Sequence, residues 1–303
     1  MSSRIPINNS FKKAKFNSMR KRKLISWLFL LPSFLGVILF FVAPFGVVIY
    51  YSLINNPIQQ EFVGLTNYIN VWNNSAFKLA ASNTLIFSVL AVPLAVMLSL
   101  FLAAVMESRI PFKSYFRTFF LSPLMVPTAS VVLIWQVMFH YNGIINNIRM
   151  FFGGDKIDFL KSDKACVVIL ALFLWKNLGY NMILFMAALA SIPKDLLEVA
   201  ALENANKFQI FWMVKVRYLS STILFVAIMS LISSFKVFRE VYLMSGDYPY
   251  STLYMLQHFM NNTFASLDYQ KLSSAAIIMF IVVTILVYAM YAVENFFGRD
   301  VEG

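Results

Sequence analysis

Lys236, Arg239 and Glu240 stand close together in SSFKVFREVYLM, at the end of an otherwise apolar run. Ionisable groups at membrane depth are costly and mostly face a bundle interior or an aqueous cavity. They are therefore candidates for lining a path taken by a polar solute. Lys236 and Glu240 are also four apart, so a pair along one helix face is the other reading. A second polar patch, Lys176, Asn177 and Tyr180 in LWKNLGYN, suits either a path or a hydrogen-bond cluster between helices. Trp135, Trp175 and Tyr180 have rings that could stack on a sugar, although most of the 31 Phe and 14 Tyr must serve packing and interfacial belts. Other chemistry is missing. The two histidines, His140 and His258, are far apart, and no zinc-ligand spacing or Ser/His/Asp arrangement occurs. No G-x-x-x-x-G-K-[ST] phosphate loop is present either. Catalytic residues and metal ligands are thus expected to be none, and the chain is expected not to be an enzyme.

The elements that must position these groups follow from composition. Of 303 residues, 60% are hydrophobic and only 13% charged, against about a quarter charged in ordinary globular domains. About 20 apolar residues span the hydrocarbon layer as a helix, and six stretches qualify. The expected class is all-α, a polytopic membrane protein with six transmembrane helices at approximately 27–51, 82–106, 118–139, 165–190, 218–243 and 272–296. Residues 1–23 form a basic tail, 24–297 the membrane domain and 298–303 a short C-terminal tail. The first apolar run is longer than a signal-peptide core and lacks a small-x-small site, so it is expected to remain as a span. A single cysteine, Cys166, excludes an intrachain disulfide.

The net charge of +11 is concentrated at the N-terminus, where eight of the 25 Lys and Arg precede the first span. That is a topology signal and an anionic-lipid contact rather than a nucleic-acid surface, and no nucleic-acid partner is expected. The two tails and the 107–117 and 191–218 connections carry 16 Lys and Arg, and the three opposite loops carry 6. The positive-inside rule then places both termini and the 191–218 connection in the cytoplasm.

That connection contains LLEVAALENANKFQIFWMVKVRYLSS. Pro193 and Asp195 suit a helix start, and Leu196, Val199 and Ala200 share one helical face. Asn204 is the expected left-handed turning point before a second helix carrying Phe208, Phe211 and Trp212. An amphipathic helix resting on headgroups is the other physical reading.

Glu198-Val199-Ala200, Asn204, then Val214, Val216 and Arg217 keep the full spacing of the EAA loop of ABC-importer permeases: Glu-Ala-Ala, three residues, Gly, nine residues, Ile-x-Leu-Pro. Val199, Asn204 and Arg217 depart from the family's Ala, Gly and Pro. WLFLLPSFLGVILFFVAPFGVVIYYSL, FVGLTNYINVW, FRTFFLSPLMVPTASVVLIWQVMF and the LWKNLGY and SSFKVFREVYLM blocks extend the likeness over residues 24–297. The chain thus resembles the carbohydrate-uptake permeases of binding-protein-dependent ABC importers, the maltose-type and glycerol-3-phosphate-type group.

The resemblance implies a permease subunit importing a sugar, an oligosaccharide or a related solute across the cytoplasmic membrane of a prokaryote. It implies a second homologous permease, two ATPase subunits that bind ATP and Mg, and an extracytoplasmic solute-binding protein. This chain would carry no cofactor. The first helix of the loop would be the coupling helix seated in the ATPase, with Glu198, Ala200, Ala201, Glu203, Asn204 and Ala205 at the contact. The rival readings are an ion-coupled secondary transporter of a polar solute, which would show internal repeats and acidic relays, and an integral-membrane enzyme.

Overall fold

A computed structural model describes residues 27–108 and 111–298. The expected basic tail 1–23, Arg109 and everything after Gly298 lie outside the described residues. The chain is helical, and among the described residues the only β pairing is an isolated bridge between Ile54 and Phe62. The helices run in the order α1 (Trp27–Ser52), α2 (Thr66–Asn73), α3 (Ser75–Glu107), α4 (Lys113–Met125), α5 (Thr128–Phe139), α6 (Ile144–Phe151) and α7 (Ala165–Ala190). Then come α8 (Lys194–Leu202), α9 (207–218), α10 (Ser220–Phe235), α11 (Phe238–Ser245), α12 (Leu256–Ala265) and α13 (Tyr269–Gly298). Among the described residues, six stretches are long and apolar enough to cross a membrane: α1, α3, Thr128–Phe151, α7, Ser220–Ser245 and α13.

Proline and polar caps explain where the helices depart from uniform rods. Pro44 has no N–H for the preceding turn, and the π-helical segment Ile38–Val42 lies immediately before it. The stretch 118–139, expected as one span, is instead two helices. Pro127 forces Val126 into extended backbone (φ −96°, ψ 130°), which ends α4 and starts α5. The second span begins earlier than the hydropathy suggested, because Asn74 caps it by accepting the Phe77 N–H at 3.1 Å.

Helices α3, α7 and α10 form the centre. Phe87, Ala91, Ala95, Ile169, Leu172 and Phe173 fill one half of it, and Leu100, Ala103, Met182, Phe185, Leu189 and Val226 the other. Small polar side chains stitch the same helices together: the Ser88 and Ser234 hydroxyls are 2.8 Å apart, and the Asn181 amide donates to the Ser230 hydroxyl at 3.0 Å. Lipid offers no hydrophobic drive between helices, so such bonds and close backbone packing must hold them. α1 buries none of its apolar window and leans on α13 through Phe45 and Phe280, whose rings are 4.9 Å apart.

Gly179 sets the distance between α4 and α7. A Cβ there would fall 1.9 Å from the Phe120 carbonyl oxygen. On α12, His258 is fully buried, with its Nδ1 accepting the Met255 N–H at 3.2 Å and its ring 4.5 Å from that of Phe238. Nε2 has no hydrogen-bond partner among the described residues. Burial pushes the His258 pKa down to about 4, against the opposing pull of the Asp247 carboxylate.

Two outcomes follow. Gly179→Ala gains roughly 1 kcal/mol of helix propensity, but overpacking against a backbone oxygen costs about 1–3 kcal/mol or more. The clash wins, and thermal unfolding in detergent will show a lower midpoint. For His258, the unfolded chain takes up its proton near pH 6.5 and the folded chain only near 4, so stability is full above 6.5 and falls with pH between those values. From pH 7 to pH 5 its contribution drops by about 2 kcal/mol, and His258→Gln removes that part of the slope in chemical denaturation.

Candidate functional site

A cavity of about 820 Å³ opens between α7 and the α10–α11 junction. Residues Leu172, Phe173, Lys176 and Asn177, spaced to share one helical face, supply the α7 wall. Ser233, Lys236, Arg239 and Glu240 come from the other side, with Leu124 of α4 and Gln257 of α12 at its edges. The α10–α11 span is interrupted at Lys236 and Val237. There the Arg239 and Glu240 N–H groups bond three residues back, to the carbonyls of Lys236 (3.2 Å) and Val237 (3.1 Å). Irregular backbone at membrane depth is tolerated where it lines a cavity.

Among the expected path residues, Lys176, Asn177, Lys236, Arg239 and Glu240 meet in this one cavity. Glu240 does not pair with Lys236. The break removes the regular i,i+4 register, and the buried Glu240 carboxylate instead accepts from Lys176 of α7. Lys176 also reaches the Thr128 hydroxyl at 3.4 Å, just beyond the α4–α5 break. Lys236 and Arg239 are exposed and form no ion pair among the described residues. Asn177 gives its amide to the Phe173 carbonyl at 2.8 Å.

The three rings are not on the wall. Trp135 stacks on Phe139 (5.3 Å, 18°) and packs against Trp175 and the core around Val131 and Val132. Tyr180 is exposed elsewhere on α7. Sequence reasoning missed Ser233, Phe238, Tyr242 and Gln257 as lining residues. The first three lie in or beside the quoted SSFKVFREVYLM block, but nothing local marked Gln257, which α12 brings in from beyond the fifth span.

At the C-terminal end of α7 lies the 191–218 connection. Helix α8 ends with Asn204 at φ 59°, its N–H bonded to Ala201 O (3.1 Å) and the Ala205 N–H to Ala200 O (3.1 Å). Those two bonds make a Schellman turn, with Asn in the position glycine usually takes. Asn206 then starts α9 with a capping box, accepting the Gln209 N–H at 2.9 Å and donating its own N–H to the Gln209 side chain at 2.8 Å. Phe208, Phe211 and Trp212 do cluster, with ring centroids 5.6–6.1 Å apart.

Ala200 is buried and Ala205 half-buried, whereas Glu198, Ala201, Glu203 and Asn204 are exposed. Leu196, Val199 and Leu202 are exposed as well, Leu202 at 82%. Lys215 of α9 grips both oxygens of Glu107 at the end of α3, at 2.6 and 2.7 Å. Among the described residues, no group of three or more His, Cys, Asp or Glu is placed to hold a metal ion.

Comparison with known proteins identifies the family and the fold. Residues 95–296 match the family described as binding-protein-dependent transport system inner membrane component. The probable ABC transporter permease protein YurN of Bacillus subtilis (strain 168) is 26% identical over 282 residues, covering 90% of this chain and 96% of that protein. The lactose transport system permease protein LacF of Rhizobium radiobacter is 29% identical, covering 85% and 88%. The fold is also that of a chain in the crystal structure of a bacterial ABC transporter involved in import of the acidic polysaccharide alginate, with a TM-score of 0.79 at 18% identity over 93% of this chain and 98% of that one. Six apolar helices, a polar cavity between them and a family match over two thirds of the chain lead to one assignment: the chain is a multi-pass membrane protein of the binding-protein-dependent ABC-importer permease family.

Proposed function

We propose that this chain forms one half of the translocation pathway for a carbohydrate or related polyhydroxylated solute, driven by ATP hydrolysis on another polypeptide. The observation that carries this reading is the cavity at membrane depth, where four ionisable side chains converge from helices far apart in sequence. A solute with many hydroxyls needs such a polar lining to replace its hydration. The functions for which relatives are named, lactose transport and alginate import, favour a saccharide.

A second, similar permease closes the pathway, an external solute-binding protein delivers the cargo, and two ATPase subunits bind ATP and Mg beneath. The charge asymmetry of the connections puts the 191–218 loop and both termini on the cytoplasmic side. Helix α8 docks in the ATPase through its exposed Leu196, Val199 and Leu202 together with Glu198, Ala201, Glu203 and Asn204. Ala200 and Ala205, turned inward, support the turn rather than the contact. ATPase closure moves α8, and the rigid Schellman turn and the Lys215–Glu107 pair pass the motion to α9 and α3. Coupling of this kind needs a two-state element biased at both ends.

Co-purification from native membranes with an ATPase, a second permease and a binding protein tests the assembly, and isolation of the chain alone would count against it. Uptake into membrane vesicles should survive a protonophore and stop on ATP depletion. Glu198→Ala with Asn204→Pro removes a contact and a φ of 59° that proline cannot adopt. Uptake should fall by about tenfold or more while ATP hydrolysis persists; unchanged uptake at equal expression excludes the coupling role. Glu107→Lys should likewise weaken transport without unfolding the chain, because a half-exposed pair is worth only about 1 kcal/mol. Adding Lys215→Glu should restore it, and a double variant no better than the single one would remove this pair from the route.

A further inference from the structure

We infer that the solute is anionic, carrying a carboxylate or a phosphate, and that Lys236 and Arg239 recognise that charge. This deepens the import reading and rests on it. The cavity wall holds three basic side chains, Lys176, Lys236 and Arg239, against one acidic one, Glu240. Glu240 is spent on Lys176, and that pair is itself enclosed, with side-chain exposures of 10% and 23%. Lys236 and Arg239 remain exposed to the cavity, without a carboxylate partner among the described residues.

A neutral saccharide does not require two uncompensated charges, since hydroxyls can be bonded by the uncharged Ser233 and Gln257 side chains on the same wall. Two fixed cations in a low-dielectric cleft instead concentrate anions and repel cations before any direct contact forms. The broken backbone at 236–237 makes this possible, since a continuous helix would have set Lys236 and Glu240 on one face, where they could cancel. Arg239 offers a forked set of donors to a carboxylate or phosphate, and Lys236 a point charge beside it.

The test uses the assembled importer in native membrane vesicles, with Cys166→Ser removing the natural thiol and Ser233→Cys placing one on the cavity wall. Labelling is timed with a sulfonate-bearing and a trimethylammonium-bearing methanethiosulfonate. The anionic reagent should react about tenfold faster than the cationic one, relative to the same pair on a free thiol. Lys236→Gln with Arg239→Gln should abolish the preference, whereas Lys236→Arg with Arg239→Lys should keep it. Parity or a cationic preference, as a compensating acidic wall on the partner permease would produce, overturns the inference. Protection of the thiol by trigalacturonate identifies a carboxylate cargo and protection by glycerol 3-phosphate a phosphate one. Protection by maltotriose but by neither anion also overturns it. ATP-dependent uptake in the same vesicles is scored separately. An anion-preferring cavity without ATP-dependent uptake would sink the import reading alone, and ATP-dependent uptake through a cavity without preference would sink this inference alone.

Discussion

A charge inside a lipid-spanning bundle has to be matched by a countercharge or kept wet, and the centre of this molecule does both within one cavity. Lys176 and Glu240 match each other across α7 and α11. Lys236 and Arg239 stay exposed in the space beside them. The first arrangement depends on α11 presenting Glu240 toward α7, which a straight continuation of α10 would not do. The interruption at Lys236–Val237 is therefore the feature on which the site's charge pattern depends. It tightens the helix locally, with the Arg239 and Glu240 N–H groups bonded three residues back rather than four.

Much of this was legible in the amino-acid order, and for clear reasons. The six spans are visible because hydrocarbon admits so few alternatives to an apolar helix. The turn at Asn204 was legible because few non-glycine residues tolerate positive φ, and Asn204 stands at 59°. That Lys176, Lys236, Arg239 and Glu240 needed a polar setting was legible from the expense of charges within spans, but the sequence showed them as two separate patches, and only the packing brings them into one cavity. What was not legible depends on long-range placement. Helical spacing alone pairs Lys236 with Glu240, and only packing of α11 against α7 reveals Lys176 as the partner. Trp135 has the chemistry of a sugar platform, yet it is taken up by Phe139 and the core, and Trp175 leans on Trp135 rather than on the cavity wall. Ala200 has the type and position expected of a docking face, but it is turned inward. Local sequence cannot say which side of a short helix its own neighbours will cover.

The 191–218 connection joins one end of α7 to one end of α10, whereas the cavity lies midway along α7 and at the far end of α10, and this separation constrains how one could act on the other. Between them the interior is filled by Met182, Phe185, Leu189, Leu219 and Val226. Close-packed side chains of this kind move together rather than compress. The Asn181–Ser230 bond ties α7 to α10 partway along, and the Ser88–Ser234 contact ties α3 to α10 just before the break. A displacement delivered at α9 is thus carried by α3, α7 and α10 as a group.

Helix α4 is held to that group, because Gly179 lets its backbone lie directly on α7, while Pro127 severs it from α5. Helix α4 therefore travels with α7, and α5 is tied to the same bundle separately, through the buried Val131 and Val132. Thr128 begins α5 and sits within reach of Lys176, so relative motion at the α4–α5 break would alter the surroundings of the Lys176–Glu240 pair first. The two interruptions, at Val126–Pro127 and at Lys236–Val237, are then complementary. Each brings a polar side chain to the Lys176–Glu240 pair: Thr128 follows the first, and Glu240 itself follows the second. Both helices nonetheless stay packed on the inner bundle, α5 through Val131 and Val132 and α11 through Val241 and Met244, so the charges sit on a wall whose backing is the same apolar core that joins α3 to α7.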